Sequence, residues 1–561
     1  MKILFTVLCA IAFILSTGLV AFSQEWDYLD VEQGYETLNL AVEGDTTENG
    51  EPVSMNRVYR LERGGVYLLN GTISNVKGSP MRIIAAEGTG PKPMLVMSVD
   101  ETGDSDNPFD VEGDALFKDI YISGSDMIGN DNRYGILIYA NGARVVLDGI
   151  NIDFADQAHV KTYGKECKIF HYNCEFRNGF LLTDQGRGRF FDARGLMPDS
   201  LVYVNNTFYV NKHRILRFDG AMGANVILDH NTFYLNAYGN DVDSPDDEII
   251  NGPIELDRGI NVQVTNNIFQ DIALEATLHP PGMEIYDRLS IIPVDTVYAP
   301  DYPEETRNWV VKNNVYGWSP QVEAFWEARS DSITPPAFIS PWGMDHYFGG
   351  HKPNFVSENN FQEFIEFNDA PSPDAILEFV KYRYDSDFSN ESNPDFRADR
   401  NGTGSLQDNP ETFGPAEDPF NFDYPSTQQA YTAGIGGFPV GDLNWFPDKK
   451  AEWETYITGV DQTENMLTTN YVLEQNYPNP FNPVTHINYS LPEPTSVTVT
   501  IYNALGQKVV DLVTDLQQDA GKHSITWNSV NNQGQLVPTG VYYYQLKTKH
   551  SNITKKMILI K

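Results

Sequence analysis

The 561-residue chain has little cysteine, little positive charge and few long hydrophobic stretches. Lys and Arg total 39 against 77 Asp and Glu, and the net charge of −38 argues against nucleic acid or an anionic membrane surface as a partner. After residue 23 no run of 18 apolar residues occurs, which excludes an ordinary membrane-spanning helix. Beyond that point only Cys167 and Cys174 remain, and we expect two buried thiols rather than a disulfide or a metal pair.

Residues 1–23 have the pattern of a signal peptide. Lys2 gives a charged start, Ile3 to Ile14 form an apolar run, and Ala21 to Ser23 offer small residues at the cleavage positions. We expect Gln24 to become the new N-terminus. The pattern predicts a secreted protein.

Between about Gly142 and Phe361 one short phrase recurs. Each copy begins with a run of β-branched or aromatic residues and continues with Asn at or next to a fixed position. It ends two positions later on a large apolar residue, here called the anchor. The anchors are Ile152, Phe176, Phe208, Phe233, Phe269, Tyr316 and Phe361, and the first four gaps between them are 24, 32, 25 and 36 residues. A shortest spacing of about 24 residues, with some longer spacings, is typical of a stacked repeat that carries surface insertions.

The repeat predicts an all-β fold, a right-handed parallel β-helix. Each phrase alternates apolar and polar residues with a period of two, so each is a strand with one buried face. The short segments between phrases leave no room for crossover helices. Asn tolerates left-handed backbone and suits a side-chain ladder at the turn of each coil. The alternative is an antiparallel sandwich, which lacks a fixed phrase at one coil length.

We divide the mature chain into three parts. Residues 24–458 form the β-helix, with an N-terminal cap and an irregular, aromatic-rich C-terminal tail. Residues 459–470 are a polar linker, and Asp448 to Thr458 could form a short helix before it. Residues 471–561 read as an immunoglobulin-like β-sandwich, because six short alternating segments are separated by turn residues.

The last ninety residues also resemble a known family. Leu473 to Pro483 (L-E-Q-N-Y-P-N-P-F-N-P), Ile501 to Gln507 (I-Y-N-A-L-G-Q), Pro538 to Tyr542 (P-T-G-V-Y) and the closing Lys555 to Lys561 are similar to the type A C-terminal sorting domain of the type IX secretion system. The resemblance implies the secretion machinery as a partner. It also implies passage through the outer membrane, removal of the tail, and release or attachment to surface lipopolysaccharide.

A stripe of charged residues precedes the phrases, on strands whose outward positions we align coil by coil. Because adjacent coils lie about 4.8 Å apart, we expect these side chains within about 15 Å along one face. The candidates for chemistry are Lys161, Arg194, Arg217 and Glu255, and the candidate Ca²⁺ ligands are Asp192, Asp219 and Asp257. Such a set suits β-elimination on a uronic-acid polysaccharide, which needs a cation to neutralise the carboxylate and a base to take the C5 proton.

The segment from Asn206-Thr207-Phe208 to Arg217-Phe218-Asp219-Gly220 is similar to the pectate-lyase and chondroitinase-B-like β-helix superfamily. In its alginate-lyase branch an Asn-Thr-Phe phrase leads to Arg-His-Gly. Here no His follows Arg217, and Arg194 stands near the place of the branch's catalytic Lys. The resemblance covers residues 57–365 and implies a polysaccharide ligand.

Three other hypotheses compete with cleavage by elimination. The stripe could be a ladder of alternating charges that pair across coils. The chain could be a non-catalytic adhesion or glycan-binding protein that stacks sugars on Trp318, Trp326 and Trp342. Glycoside hydrolysis would require two carboxylates about 5 to 10 Å apart, and Asp219 and Asp257 are its candidates. We expect a monomer in each case.

Overall fold

A computed structural model describes most of the chain as two compact units, one that ends in the sequence at Trp453 and one that begins at Glu454. The described residues are 26–99, 106–128, 132–179, 187–193, 198–218, 225–237, 252–256, 259–275, 277–278, 290–294, 307–328, 333–385, 420–463, 472–473, 476, 479–491, 495–518, 521–549 and 551–560.

The first unit is a parallel β-helix, as predicted. Its three long sheets each contain parallel strands from successive coils. The first sheet contains Asp27–Val31, Arg57–Leu61, Met81–Ala85, Ala115–Lys118, Arg144–Asp148, Lys168–Tyr172, Ser200–Val204, Asn225–Asp229, Asn261–Thr265, Asn308–Lys312 and Phe355–Glu358. The second contains Gly34–Tyr35, Val66–Leu69, Met94–Met97, Tyr121–Ser123, Asn151–Ala155, Glu175–Gly179, Thr207–Asn211, Thr232–Asn236, Ile268–Gln270, Val315–Gly317 and Phe361–Gln362. The third contains Ile73–Ser74, Phe109–Val111, Tyr134–Ile138, Ala158–Thr162, Arg189–Asp192 and Leu216–Arg217.

The predicted anchors stack in one column inside the β-helix. Phe176, Phe208, Phe233 and Phe269 stand in register, and consecutive ring centroids are 5.0, 4.9 and 5.0 Å apart with nearly parallel planes. The rings therefore fill the core at the spacing of the strands. They remove a large apolar area from water in every coil.

The last predicted anchor was misplaced by one residue. Phe361 pairs with Val315, and Gln362 stands opposite Tyr316. The register follows the turn, because Asn314 Nδ2 donates to Asn360 Oδ1 at 2.8 Å and the anchor position falls two residues later. Phe361 instead packs on the outer side, against the cluster that contains Ile268 and Val315.

Two adjacent positions build the turn from the first sheet to the second. The first position has a left-handed backbone, with φ between 52 and 64° at Asp119, Gly149, Asn173, Asn205, His230, Asn266, Asn313 and Asn359. The second position forms the predicted ladder, in which each Asn Nδ2 donates to the next Asn Oδ1 at 2.8 to 3.0 Å through Asn206, Asn231, Asn267, Asn314 and Asn360. The side-chain amides satisfy buried backbone groups at each turn, which fixes the register of the coils.

Smaller elements decorate the β-helix. The described helices before residue 420 are Thr37–Glu43, Pro320–Glu327, Pro341–His346 and Asp374–Asp385, and short 3₁₀ turns follow at Gln429–Thr432, Ile435–Gly437 and Leu443–Trp445. Two short strand pairs join Thr277–Leu278 to Ile333–Thr334 and Ser290–Ile292 to Ala337–Ile339. None of the helices in the described ranges is long and apolar enough to cross a membrane.

Residues 420–453, here called the strap, lie on the outer face of the second sheet. Phe422 packs on Tyr209 with 5.1 Å between ring centroids. The Thr207 hydroxyl donates to Asp442 Oδ2 at 2.7 Å, and the Gly441 N–H donates to the Asn266 carbonyl at 2.8 Å. The described part of the aromatic-rich tail is therefore packed on the β-helix, as the aromatic content predicts.

The second unit contains two antiparallel sheets. One joins Val472–Leu473, Thr485–Leu491 and Gly521–Trp527, and the other joins Lys508–Gln518, Thr495–Asn503, Gly540–Lys547 and Asn552–Leu559. This agrees with the predicted immunoglobulin-like sandwich.

The helix Pro447–Thr463 runs five residues past the predicted end at Thr458, into the predicted linker. Gly459 only weakens a helix by about 1 kcal/mol relative to Ala, so it does not end this one.

Cys167 and Cys174 are both buried and free, as predicted. Burial raises the pKa of each thiol, most strongly for Cys174. Both side chains are therefore part of the core of the β-helix.

Candidate functional site

The charged stripe lies on the outer face of the third sheet. Lys161 pairs in register with Asp192, and Asp192 pairs with Arg217. One coil further, Leu216 bridges Ile254, which places Glu255 beside Arg217. The charges along this row alternate in sign from Lys161 to Glu255.

Lys161 and its partner Asp192 are the most enclosed charges of the row, and Lys161 has only 4% of its surface exposed. Its ammonium lies 3.6 Å from Asp192 Oδ2 and donates to the Tyr134 hydroxyl at 3.2 Å. It also lies 4.8 Å from the ring centroid of Tyr163. Asp192 is fully buried, and Arg189 approaches it at 3.9 Å. The two charges therefore stabilise each other within the wall of the β-helix.

The other end of the row is more open. Arg217 and Glu255 are both half-buried. Glu255 Oε2 accepts a hydrogen bond from the Phe218 N–H at 2.8 Å and lies 3.6 Å from the guanidinium of Arg214. The carboxylate is thus held by a backbone donor and a neighbouring cation.

The remaining predicted members of the stripe lie outside the described residues. They are Arg194 as a candidate for chemistry, and Asp219 and Asp257 as candidate metal ligands and hydrolytic carboxylates. In the described ranges, no three or more His, Cys, Asp or Glu side chains form a group that could hold a metal ion. A Ca²⁺ site that uses Asp192 with these two carboxylates therefore stays a sequence-based prediction.

An exposed pair of tyrosines flanks the row, and the sequence argument missed it. Tyr139 and Tyr163 stack at 5.2 Å between ring centroids with 12° between the planes, and they are 39% and 44% exposed. Each follows an outward position by two residues, Leu137 and Lys161, which pair in register. The tyrosine that ends both I-L-I-Y and V-K-T-Y was the signal that could have predicted the pair.

Electrostatics around the pair are mixed. The pKa of Tyr139 is raised, first by burial and then by Asp110 and Tyr163. Asp110 lies two coils before Lys161 at the same register position. Burial raises its pKa, and the charges of Glu112 and Asp106 raise it further. The end of the row near Asp110 is therefore acidic, whereas Lys161 and Arg217 supply cations toward the other end.

The three predicted sugar-stacking tryptophans do not form one surface. Trp318 and Trp326 are 7% and 4% exposed, and their indole N–H groups donate to the carbonyls of Ile272 and Leu274 at 3.1 and 2.9 Å. Trp342 is half-buried and stacks on His346. The first two are mainly packing residues because so little of either ring is open to solvent.

Trp318 and Trp326 nevertheless line one cavity of about 680 Å³. Tyr316 and Phe338 stack face to face in its wall at 4.7 Å between ring centroids. The full lining is Tyr316, Trp318, Glu323, Trp326, Glu327, Pro335, Pro336, Ala337, Phe338 and Gln362. Trp342 is absent from this lining. The two exposed glutamates make the cavity unfavourable for an anionic sugar.

Comparison with known families identifies one segment of the second unit. Residues 483–552 match the FlgD Ig-like domain family. This match agrees with the antiparallel sheets of that unit and covers only a small part of the chain. No curated protein is significantly similar to the chain.

Three solved structures are similar to short segments of this chain. PorZ of Porphyromonas gingivalis, described as an essential bacterial surface component of the type IX secretion system, is 19% identical over 17% of this chain and 12% of its own, with a TM-score of 0.13. FlgD from P. aeruginosa is 26% identical over 13% and 57%, with a TM-score of 0.12. Latent PorU of Porphyromonas gingivalis is 20% identical over 16% and 9%, with a TM-score of 0.14. The chain therefore spans less than two thirds of each of these proteins.

Proposed function

We propose that this protein is exported to the cell surface and that its β-helix binds an acidic polysaccharide along the outer face of the third sheet. The observation that carries the proposal is the exposed stack of Tyr139 and Tyr163 beside Lys161. Because the rings stack on each other, the surface they offer to a sugar is their exposed outer edge. The β-helix presents the two rings along its axis, in the direction in which an extended polymer could lie.

The preference for an acidic polymer rests on Arg217, because the other cation of the row, Lys161, is buried against Asp192. Lys161 and Arg217 are two coils apart on the face that carries the tyrosines. Arg217 is half-buried at the more open end of the row, and a guanidinium suits a carboxylate because it can give two parallel hydrogen bonds. The acidic groups near Asp110 would direct the carboxylates toward the Arg217 end.

Export and surface location are part of the proposal. The signal-peptide pattern of residues 1–23 supports export. The resemblance of the last ninety residues to a type IX sorting domain supports transfer across the outer membrane by that machinery. An immunoglobulin-like unit in this position is compatible with both.

Within this proposal we favour binding over cleavage. β-Elimination needs a base that is free to take the C5 proton. The Lys161 ammonium is instead engaged by Asp192 and Tyr134. The described part of the row thus resembles the charge-ladder alternative more closely than a lyase centre. The lyase hypothesis keeps its own test, because elimination would release an unsaturated product that absorbs in the ultraviolet.

Affinity electrophoresis in gels that contain polygalacturonate tests the proposal. We expect the wild-type protein to be retarded and the variant Tyr139→Ala/Tyr163→Ala to migrate as in a gel without polymer. Both side chains are well exposed, so the variant is expected to fold. Tyr28→Ala is the matched control, because Tyr28 is 45% exposed and lies in the first coil.

Two results would contradict the proposal. One is unchanged migration of the wild-type protein in gels with polygalacturonate or alginate. The other is equal retardation of the double variant and of Tyr28→Ala. Retardation by a neutral polymer to the same extent would refute the acidic preference. New reducing ends without ultraviolet absorbance would indicate hydrolysis.

A further inference from the structure

A polar groove lies where the strap meets the turns between the first and second sheets. Its volume is about 470 Å³, which is in the range of small-ligand sites. The lining includes three lysines, Lys92, Lys118 and Lys450, together with the indole of Trp445. This groove is separate from the charged row, because none of its lining residues belongs to the third sheet.

The carboxylates of the groove already have protein partners. Asp119 pairs with Arg63 at 3.1 Å, Asp148 with Lys118 at 2.9 Å, Glu175 accepts from Tyr209 at 2.6 Å, and Asp442 accepts from Thr207 at 2.7 Å. Asp148 also accepts from Asn173, and Asp442 from Asn444. These partners occupy the carboxylate oxygens, and the charges of the four carboxylates are balanced by the three lysines and Arg63.

The ammonium groups, in contrast, keep unused donors. Lys92 donates to Asn151, Lys118 donates to Asp148, and Lys450 donates to Asn173 and Asn444. An ammonium has three N–H donors. Within the described residues, these bonds leave five of the nine donors without a protein acceptor.

Ammonium groups with unused N–H donors in one groove are suited to an oxyanion. Charge-assisted hydrogen bonds from ammonium to carboxylate are among the stronger ones in proteins. The amides of Asn151 and Asn173 also line the groove, and each has a second N–H that could bond a ligand hydroxyl, beyond the bond it gives to Glu175 or Asp148. Trp445 offers an aromatic surface, half-buried at the edge.

We propose that this groove is a second ligand site, which binds a single sugar unit that carries a carboxylate. The lysines hold the carboxylate, and the amides and Trp445 hold the ring. This site is independent of the proposed polymer-binding face. It would bind a chain end or a free sugar acid, because its volume is too small for a long polymer.

Isothermal titration of the full-length protein with D-galacturonate tests the site, with D-galactose as the neutral match. We expect galacturonate to bind at one site and galactose to bind at least tenfold more weakly. Lys92→Met and Lys118→Met each remove one cation and keep most of the apolar stem. Each should weaken galacturonate binding by about tenfold, the effect of one charge-assisted hydrogen bond. Lys168→Met is the matched control, since Lys168 is exposed and lies on the first sheet outside the groove.

The outcomes separate this proposal from the polymer-binding proposal. The Tyr139→Ala/Tyr163→Ala variant should bind galacturonate as the wild type does. The proposal is overturned by an absence of galacturonate binding, by equal binding of galactose, or by equal binding in Lys92→Met and the wild type. If Lys118→Met lowers the thermal unfolding midpoint, the result for Lys92→Met is decisive, because Lys92 bonds to the neutral amide of Asn151 whereas Lys118 forms an ion pair with Asp148.

Discussion

Phe208 and Phe233 lie face to face in the core of the β-helix, 4.9 Å apart between ring centroids with 9° between the planes. They are 25 residues apart in sequence, and Phe176 and Phe269 extend the stack on either side. The rings follow the register of the paired strands, and the same kind of register aligns the rows on the outer surface. Residues distant in sequence share one face because the coils are stacked in this register.

Removal of one ring of the stack should destabilise the β-helix. We expect Phe233→Ala to lower the free energy of unfolding by about 3–5 kcal/mol, because the cavity opens beside two other rings. Chemical denaturation monitored by circular dichroism measures the change. Phe364→Ala is the control, since Phe364 is 37% exposed, and it should change the free energy by less than about 0.5 kcal/mol. Equal effects of the two variants would show that the stack does not support the core.

The asparagine ladder should be more sensitive in its middle than at its end. Asn231 donates to the Tyr203 carbonyl and to Asn267 Oδ1 and accepts from Asn206. Asn231→Leu leaves several buried polar groups unpaired, each of which costs about 1–3 kcal/mol. Asn360→Leu, on the half-buried last rung, should cost less. Comparison of the two unfolding free energies checks the order, and a larger loss at Asn360 would contradict the ladder's role.

The buried carboxyl of Asp271 should make the β-helix less stable as pH rises. Burial raises its pKa to about 7, although the Ser319 N–H donates to it at 2.6 Å. The unfolded chain has a carboxyl pKa of about 4, so the folded state holds the proton between these values. The stabilisation is complete below pH 4 and is lost as pH rises through about 7.

Asp271→Asn removes this titration. Between pH 5 and pH 7 the unfolding free energy of the wild type should fall relative to the variant, by up to about 1.4 kcal/mol per pH unit. Denaturation curves of both proteins at pH 5, 6, 7 and 8 measure the difference. Parallel pH dependence of the two proteins would show that Asp271 does not titrate as a buried acid.

The repeated parts of the fold could be predicted from sequence, because their physics is local and recurs. The Asn-Asn phrases predict the left-handed turn and the ladder, and alternation predicts the buried anchors. The final anchor was misplaced because Phe361 is apolar, whereas the ladder contact of Asn360 decides the register. The row of Lys161, Asp192 and Arg217 could be predicted from the same alternation. The burial of this row could not be predicted, because alternation shows on which side of the strand a residue lies but not which other residues cover that side.

The groove could not be predicted, because it depends on a contact between distant, unrepeated segments. Lys450 and Asn173 are 277 positions apart, yet the Lys450 ammonium donates to the Asn173 amide oxygen at 2.7 Å. No periodicity relates the strap to the coils it covers. The same holds for Trp318 and Trp326, whose indoles bond to backbone carbonyls more than 40 residues away. Their aromatic content suggested an exposed platform, and tertiary packing buries them.

Hydroxyl-radical footprinting with and without polygalacturonate tests the central claim most directly, because it locates the polymer on the protein. We predict that labelling of Tyr139 and Tyr163 falls by at least severalfold when the polymer is present. Labelling of Tyr28 and Tyr35, which are 45% and 55% exposed in the first coil, should not change. Unchanged labelling of Tyr139 and Tyr163 at polymer concentrations that saturate binding would contradict the assignment of the third sheet as the binding face.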